Sequence, residues 1–213
     1  MIITIDGPTA SGKSSVAQAL AKKLSAYYLN TGLLYRAVAY VLSAKNTDFS
    51  EADLSFIDEL SYDYYQGAPR LMLGDRDITE HLYNSGLDQP ASLVSAHPLV
   101  REKLLPVQRA ITEKYDIVAD GRDCGSVVFP NADYKFFLTA DVTTRAQRMM
   151  ADPKRKINFD DLESAKCSLE ERDKRDRERA VAPLIVPEGA IIIDNSHMTF
   201  DETVTAFLGY VAR

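Results

Sequence analysis

The chain has 213 residues, a formal net charge of -6, 46% hydrophobic and 26% charged side chains, which is the composition of an ordinary globular enzyme. Its apolar runs fall far short of the ~20 residues that cross a bilayer, and its negative balance argues against the broad basic surface that general nucleic-acid binding requires. The two cysteines, Cys124 and Cys167, lack CxxC spacing. That argues against a zinc site and, with no visible signal segment, predicts a cytoplasmic chain without structural disulfides.

The β-branched run Ile2-Ile3-Thr4-Ile5 reads as a buried parallel strand. Lys13 opens a helix with Val16, Ala17, Leu20, Ala21 and Leu24 on one face. Ala26 to Leu29 reads as a second strand, Asn30-Thr31-Gly32 as a turn, and a helix is expected from near Leu33. Alternation over Leu60 to Tyr65 and Arg70 to Thr79, with Gly74-Asp75 as a two-residue turn, predicts a small antiparallel sheet. Leu99 to Glu113 is amphipathic, and Pro106 within it predicts a kink or break. Two more core strands follow at Tyr115 to Ala119 and Tyr134 to Leu138. Asp141 caps a helix carrying Arg145 and Arg148, Asp152 to Lys156 reads as a loop, and a helix is expected over Phe159 to Ala180. Ala190 to Ile193 is the last strand, and Thr199-Phe200-Asp201-Glu202 forms a capping box for the final helix.

Alternating strands and helices predict an α/β fold, a parallel doubly wound sheet with helices on both faces. Ligands in such sheets bind at the carboxyl ends of strands. Three motifs fall there. The first, Gly7-Pro8-Thr9-Ala10-Ser11-Gly12-Lys13-Ser14, is a complete GxxxxGK[ST] phosphate loop between a strand and a helix. Its glycines let consecutive N–H groups turn inward, Lys13 reaches the terminal phosphates, and the Ser14 hydroxyl is suited to Mg²⁺.

The second motif joins Thr31 to Arg36, which lies one helical turn beyond Gly32. They could face the same crevice, or Thr31 could simply cap the helix with Arg36 solvated. The third is Asp120-Gly121-Arg122-Asp123, in which Arg122 offers phosphate a fork of donors, Asp123 an acceptor, and Asp120 a carboxylate for Mg²⁺ through water. A fourth constellation sits in the charge run Glu170 to Arg179, where Arg172, Asp176 and Arg179 share one helical face. Such a run is by default a solvated helix. Lys13, Arg36, Arg101, Arg122, Arg172 and Arg179 together supply the cations that phosphoryl transfer needs. A monophosphate acceptor is already largely ionised and needs no general base; a hydroxyl acceptor would need one, and Asp123 is the candidate.

These residues, with Tyr35-Arg36-Ala37, Val100-Arg101, Gln108-Arg109, Val127 to Pro130, Arg172-Asp173, Arg175-Asp176 and Ala182-Pro183-Leu184, make the chain resemble the bacterial cytidylate kinase family over nearly its whole length. The resemblance implies one P-loop kinase domain over 1–213, with core 1–59, 104–147 and 181–213, a monophosphate-binding insertion at about 60–103 and a helical lid at about 148–180. It implies ATP phosphates at Gly7 to Ser14, Arg145 and Arg148 on the ATP side, and CMP or dCMP at Thr31, Arg36, Arg101, Arg122, Asp123, Arg172, Asp176 and Arg179. Lys13, Arg122 and Arg172 would be the catalytic cations. Expected with these are Mg²⁺, a monomeric state, and no nucleic-acid or membrane partner. The rivals are a kinase for UMP, dTMP or a hydroxyl acid such as shikimate, and a non-enzymatic nucleotide switch. Two departures from the family pattern are Asn30 in place of aspartate and Asn195 where threonine is common.

Overall fold

The computed structural model describes residues 1–45, 53–152 and 159–211. In chain order its elements are β1 (Ile2–Asp6), α1 (Lys13–Lys23), β2 (Tyr27–Asn30), α2 (Thr31–Lys45), β3 (Leu60–Tyr65), β4 (Ala68–Leu73), β5 (Arg76–Asp77), α3 (Asp88–Val94) and α4 (Pro98–Ala110). There follow β6 (Ile117–Gly121), β7 (Tyr134–Thr139), α5 (Val142–Ala151), α6 (Leu162–Glu178), β8 (Ile191–Asp194) and α7 (Phe200–Val211). The chain forms two compact units, Met1–Tyr28 with Asp116–Arg213, and Leu29–Tyr115.

The first unit is built on a sheet with strand order β2-β6-β1-β7-β8. The run Ile2–Asp6 carries three isoleucines and is buried from Ile3 onward because β1 is central and covered on both sides, the usual state of a parallel strand. It pairs in parallel with β6 and β7, and the β6 register sets Ile5 beside Asp120 and Asp6 beside Gly121. The carboxyl ends of β1 and β6 therefore lie side by side, bringing the phosphate loop to the Arg122-Asp123 turn. Ile3, Ile5, Val16, Leu20, Phe136, Leu138, Val204 and Phe207 form the core, with the rings of Phe136 and Phe207 4.5 Å apart. The capping box of α7 is present as expected: Thr199 Oγ1 accepts from Glu202 N, and Glu202 Oε2 accepts from Thr199 N. Asp141 caps α5 through Thr144 N. Helices α5 and α6 pack through Ala146, Met149, Ala165 and Leu169. Asp161 begins α6 with a reciprocal cap to Ser164, three residues after the expected start. From Pro153 on, the expected 152–156 loop lies outside the described residues.

The second unit holds the antiparallel sheet β3-β4-β5. Its β3 strand coincides with the expected Leu60–Tyr65 segment, and Gly74 (φ 55°) turns β4 into β5 as the sequence indicated. Two expectations are corrected here. Helix α2 begins at Thr31, not near Leu33, so Thr31 and Gly32 are helical; Asn30 precedes it in the N-cap position, where asparagine is favoured. Helix α4 runs unbroken from Pro98 through Pro106 to Ala110. Pro106 and Glu102, the residue whose carbonyl loses its donor, are both exposed, so water can take the missing bond, while Val100, Leu104 and Gln108 stay buried on the packed face.

Candidate active site

The phosphate loop takes the shape its residue types dictate. Gly7 has φ 150°, and a Cβ there would overlap the Leu138 carbonyl oxygen of β7. Ala10 is left-handed (φ 61°), as is Gly12 (φ 92°) at the N-cap of α1. The helix N-terminus behind them offers unpaired N–H groups and a partial positive charge to an anion. Lys13 is buried, and its Nζ donates to Pro8 O (2.6 Å) and Ser11 Oγ (3.3 Å). Burial holds its pKa well below the usual lysine range, and the Arg122 charge pushes the same way.

Around this loop the first unit gathers most of the expected site residues. Arg122 Nη2 donates to Thr9 Oγ1 (2.9 Å), and Arg122 Nε pairs with Asp176 (2.7 Å). Burial works against the charge on Arg122, but Asp176, then Asp173 and Asp120, raise its pKa. Burial likewise opposes ionisation of Asp176, yet Arg122, followed by Arg172 and Arg179, holds its carboxyl below the ordinary value. Asp123 is buried and accepts from Arg179 Nη2 (3.0 Å). Arg122 and Asp123, adjacent in sequence, thus each pair with the segment around α6 rather than with each other. Arg179 is not helical: it is the C-cap residue, with ψ 138°, and its Nε also donates to Ala182 O (2.5 Å). Arg145 donates to Thr9 O (3.1 Å) and pairs with Asp173 (2.5 Å). Arg148 donates to Asn195 Oδ1 (2.9 Å) and Asn195 O (2.8 Å), while Asn195 Nδ2 donates to Ser11 O (3.2 Å).

Thr31, Arg36 and Arg101 lie in the second unit. Thr31 is buried in the first turn of α2. Arg36 is not simply solvated: its Nη1 donates to Leu82 O and Asn84 O, each at 3.1 Å, and its Nη2 pairs with Asp88. Arg101 donates to Ser95 O (3.0 Å), and its guanidinium lies 5.4 Å from the centre of the Tyr35 ring.

Ser14 Oγ donates to Asp120 Oδ2 (2.7 Å), and Tyr28 Oη donates to Asp120 Oδ1 (2.7 Å). A hydroxyl beside a carboxylate is a hard oxygen pair suited to Mg²⁺, which binds through one or two protein oxygens, waters and substrate phosphates. No cluster of three or more His, Cys, Asp or Glu side chains that could hold a metal occurs among the described residues.

Three more carboxylates hold site elements in place, Asp6 and Asp173 beside the phosphate loop and Asp88 in the second unit. Asp6, buried at the end of β1, accepts from the backbone N–H groups of Cys124 (2.8 Å) and Gly125 (2.7 Å). Burial pushes its pKa up to about 6 against those two bonds, with Asp123 adding to the rise. Asp173 stands on α6 in line with Ala165 and Leu169, an apolar stripe whose continuation was the available signal. Asp88, which steadies Arg36, gives no local signal.

A phosphate loop entering a helix at the carboxyl edge of a parallel sheet, with guanidinium groups converging on it, defines a P-loop kinase. Solved structures agree on the fold. A shikimate kinase from Bacteroides thetaiotaomicron matches with TM-score 0.53 at 11% identity, over 100% of this chain and 99% of that one. A gluconokinase from Sinorhizobium meliloti matches with TM-score 0.52 at 15% identity, over 99% and 91%. At such identities they speak for fold alone. The family model described as cytidylate kinase matches residues 3–213, and the chain belongs to that family. Cytidylate kinases from Ralstonia nicotianae and Methylococcus capsulatus are 41% and 40% identical to it, covering 98% and 99% of this chain and 91% and 96% of theirs. One from Acholeplasma laidlawii is 36% identical over 95% of this chain and 90% of its own.

Proposed function

We propose that the chain transfers the γ-phosphoryl group of ATP to CMP, and to dCMP, giving ADP and the pyrimidine diphosphate. The observation that carries this reading is Arg122. One guanidinium reaches both Thr9 of the phosphate loop and Asp176 of α6, so a cation assigned to the acceptor phosphate stands at the loop assigned to the donor. Phosphoryl transfer is driven mainly by such positioning and by positive charge on the moving group.

In this reading the backbone N–H groups of Gly7 to Ser14 bind the ATP phosphates, with Arg145 and Arg148 on the same side. Lys13 turns from Pro8 O and Ser11 Oγ to the terminal phosphates. Arg36, Arg122 and Arg172 hold the acceptor phosphate. Arg101, Asp123, Asp176 and Arg179 read the cytosine, and Thr31 is a further contact to CMP. Ser14, with Asp120 through water, would hold Mg²⁺, which would supply positive charge to neutralise the nucleotide phosphates. The second pKa of the acceptor phosphate is about 6, so its oxygen attacks as an anion and no side chain need remove a proton. The same reading carries a monomeric, cytoplasmic enzyme acting on free nucleotides rather than on nucleic acids or membranes. No described helix is long and apolar enough to cross a membrane.

A coupled assay of ADP release with CMP, dCMP, UMP, dTMP, shikimate and no acceptor tests the proposal. Turnover is expected with CMP and dCMP well above the others. Preference for another acceptor, or ATP binding with no acceptor-dependent ADP release, overturns it.

A further inference from the structure

Asp173 has no role in the reading above, yet it is among the most buried charged side chains described. The packed stripe of α6 runs Ala165, Leu169, Asp173, Asp176, so a carboxylate at 1% exposure occupies a position suited to a third apolar residue. Burying a charge is expensive unless its oxygens are engaged with good geometry. Those of Asp173 are engaged around one residue of the phosphate loop. Oδ1 accepts from Thr9 N at 3.0 Å. Oδ2 pairs with Arg145 Nη1 at 2.5 Å, and the same nitrogen donates to Thr9 O at 3.1 Å. Arg145 Nε is tied to Ala140 O at 3.0 Å, and Arg122 Nη2 takes Thr9 Oγ1 at 2.9 Å.

Thr9 is therefore held at its amide, its carbonyl and its hydroxyl by three side chains, from α6, α5 and the turn after β6. The next residue, Ala10, adopts φ 61°, a left-handed conformation that a non-glycine residue keeps only where its surroundings impose it. The grip thus falls beside a left-handed residue of the loop. A pair retained for packing alone could be exchanged for apolar side chains at no loss, but apolar side chains could not hold a peptide group at both ends.

We propose that Asp173 is a positioning residue for phosphoryl transfer: with Arg145 it fixes Thr9, and through Thr9 the curvature of the phosphate loop, before ATP binds. The inference rests on the assignment of Gly7 to Ser14 to the ATP phosphates.

The test is Asp173→Asn in the full chain, read by the ATP dissociation constant without acceptor, by KM for ATP and for CMP, and by thermal melting. The ATP dissociation constant and KM for ATP are expected to rise about ten-fold or more, the scale of a lost hydrogen bond to a charged group, with KM for CMP changed less than about two-fold. Should that variant melt early, Asp173→Glu keeps a carboxylate for Arg145 while moving it off Thr9 N, leaves no buried charge unpaired and carries the same comparison. A folded variant whose ATP affinity is unchanged, or in which both KM values rise together, overturns the proposal. ATP affinity is read without acceptor, so a wild-type chain that binds ATP but ignores CMP would count against the acceptor reading alone.

Discussion

The segment β1–α1 and the helix α6 both border the phosphate loop's residues, yet they act through different parts of the chain. The first works with main chain: Gly7 and Gly12 set the path, the loop's N–H groups are the proposed ligands, and most side chains between them only need to fit. The second works with side chains, the charged groups of Arg172, Asp173, Asp176 and the C-cap Arg179. A main-chain site is broken by adding a single carbon. A side-chain site is broken by removing a charge.

The largest effect expected from that contrast is on Gly7→Ala. The added Cβ overlaps a backbone carbonyl of β7, which cannot swing aside, at φ 150°, so a loss of about 4 kcal/mol or more is expected, in the range reserved for severe core damage. Chemical denaturation measures it; a variant of nearly wild-type stability would show that the loop yields more easily than its backbone contacts imply. On α6 the outcome should be the reverse. Arg172→Ala is expected to leave the thermal midpoint nearly unchanged while kcat/KM for CMP falls about 10- to 100-fold, the value of a charge-assisted hydrogen bond; Arg179→Ala, which removes the buried partner of Asp123, is expected to lower both. Unchanged kcat/KM in both would remove α6 from acceptor binding.

The same contrast explains what could be read in advance. The eight positions from Gly7 to Ser14 are legible because backbone geometry dictates residue type at fixed spacing, and the β3–β4 segment and the α7 capping box are legible for the same local reason. The pairing of Arg122 with Asp176, 54 residues on, follows from how β6 and α6 pack, which no spacing encodes. Asp173 is concealed differently: within Glu170 to Arg179 every residue ionises, so a buried carboxylate looks like its solvated neighbours until it is counted from Leu169. Pro106 misled because the local rule against helix-interior proline is strong, while the exposure of the freed Glu102 carbonyl is a tertiary fact.

Asp6 sharpens the comparison by joining the two modes, a side chain held only by main-chain donors. Its folded pKa of about 6 lies above the ordinary value of 3.8, so between these pH values the folded chain binds a proton that the unfolded chain has released. Its contribution therefore favours folding at low pH and is lost as pH rises through about 6, by about 1 kcal/mol per pH unit inside that window. Asp77 and Asp141, each held at about 2, have the opposite sign and act below the window. Urea midpoints of wild type and Asp6→Asn from pH 4 to 7 separate the effects. The variant loses one acceptor at every pH, but its stability should vary less steeply across the window, and parallel curves would show that Asp6 does not titrate there.

The smallest effect isolates the conformational part of the Gly7 argument from the collision. Gly67, in the turn between β3 and β4, also has positive φ (81°), but a Cβ there meets nothing within 4 Å. Gly67→Ala should therefore cost only the left-handed backbone, about 1 kcal/mol, and Gly67→Asn less, since asparagine visits that region more readily. If Gly67→Ala were as damaging as Gly7→Ala, backbone conformation alone would account for both, and the carbonyl of Leu138 would have no special part in shaping the loop.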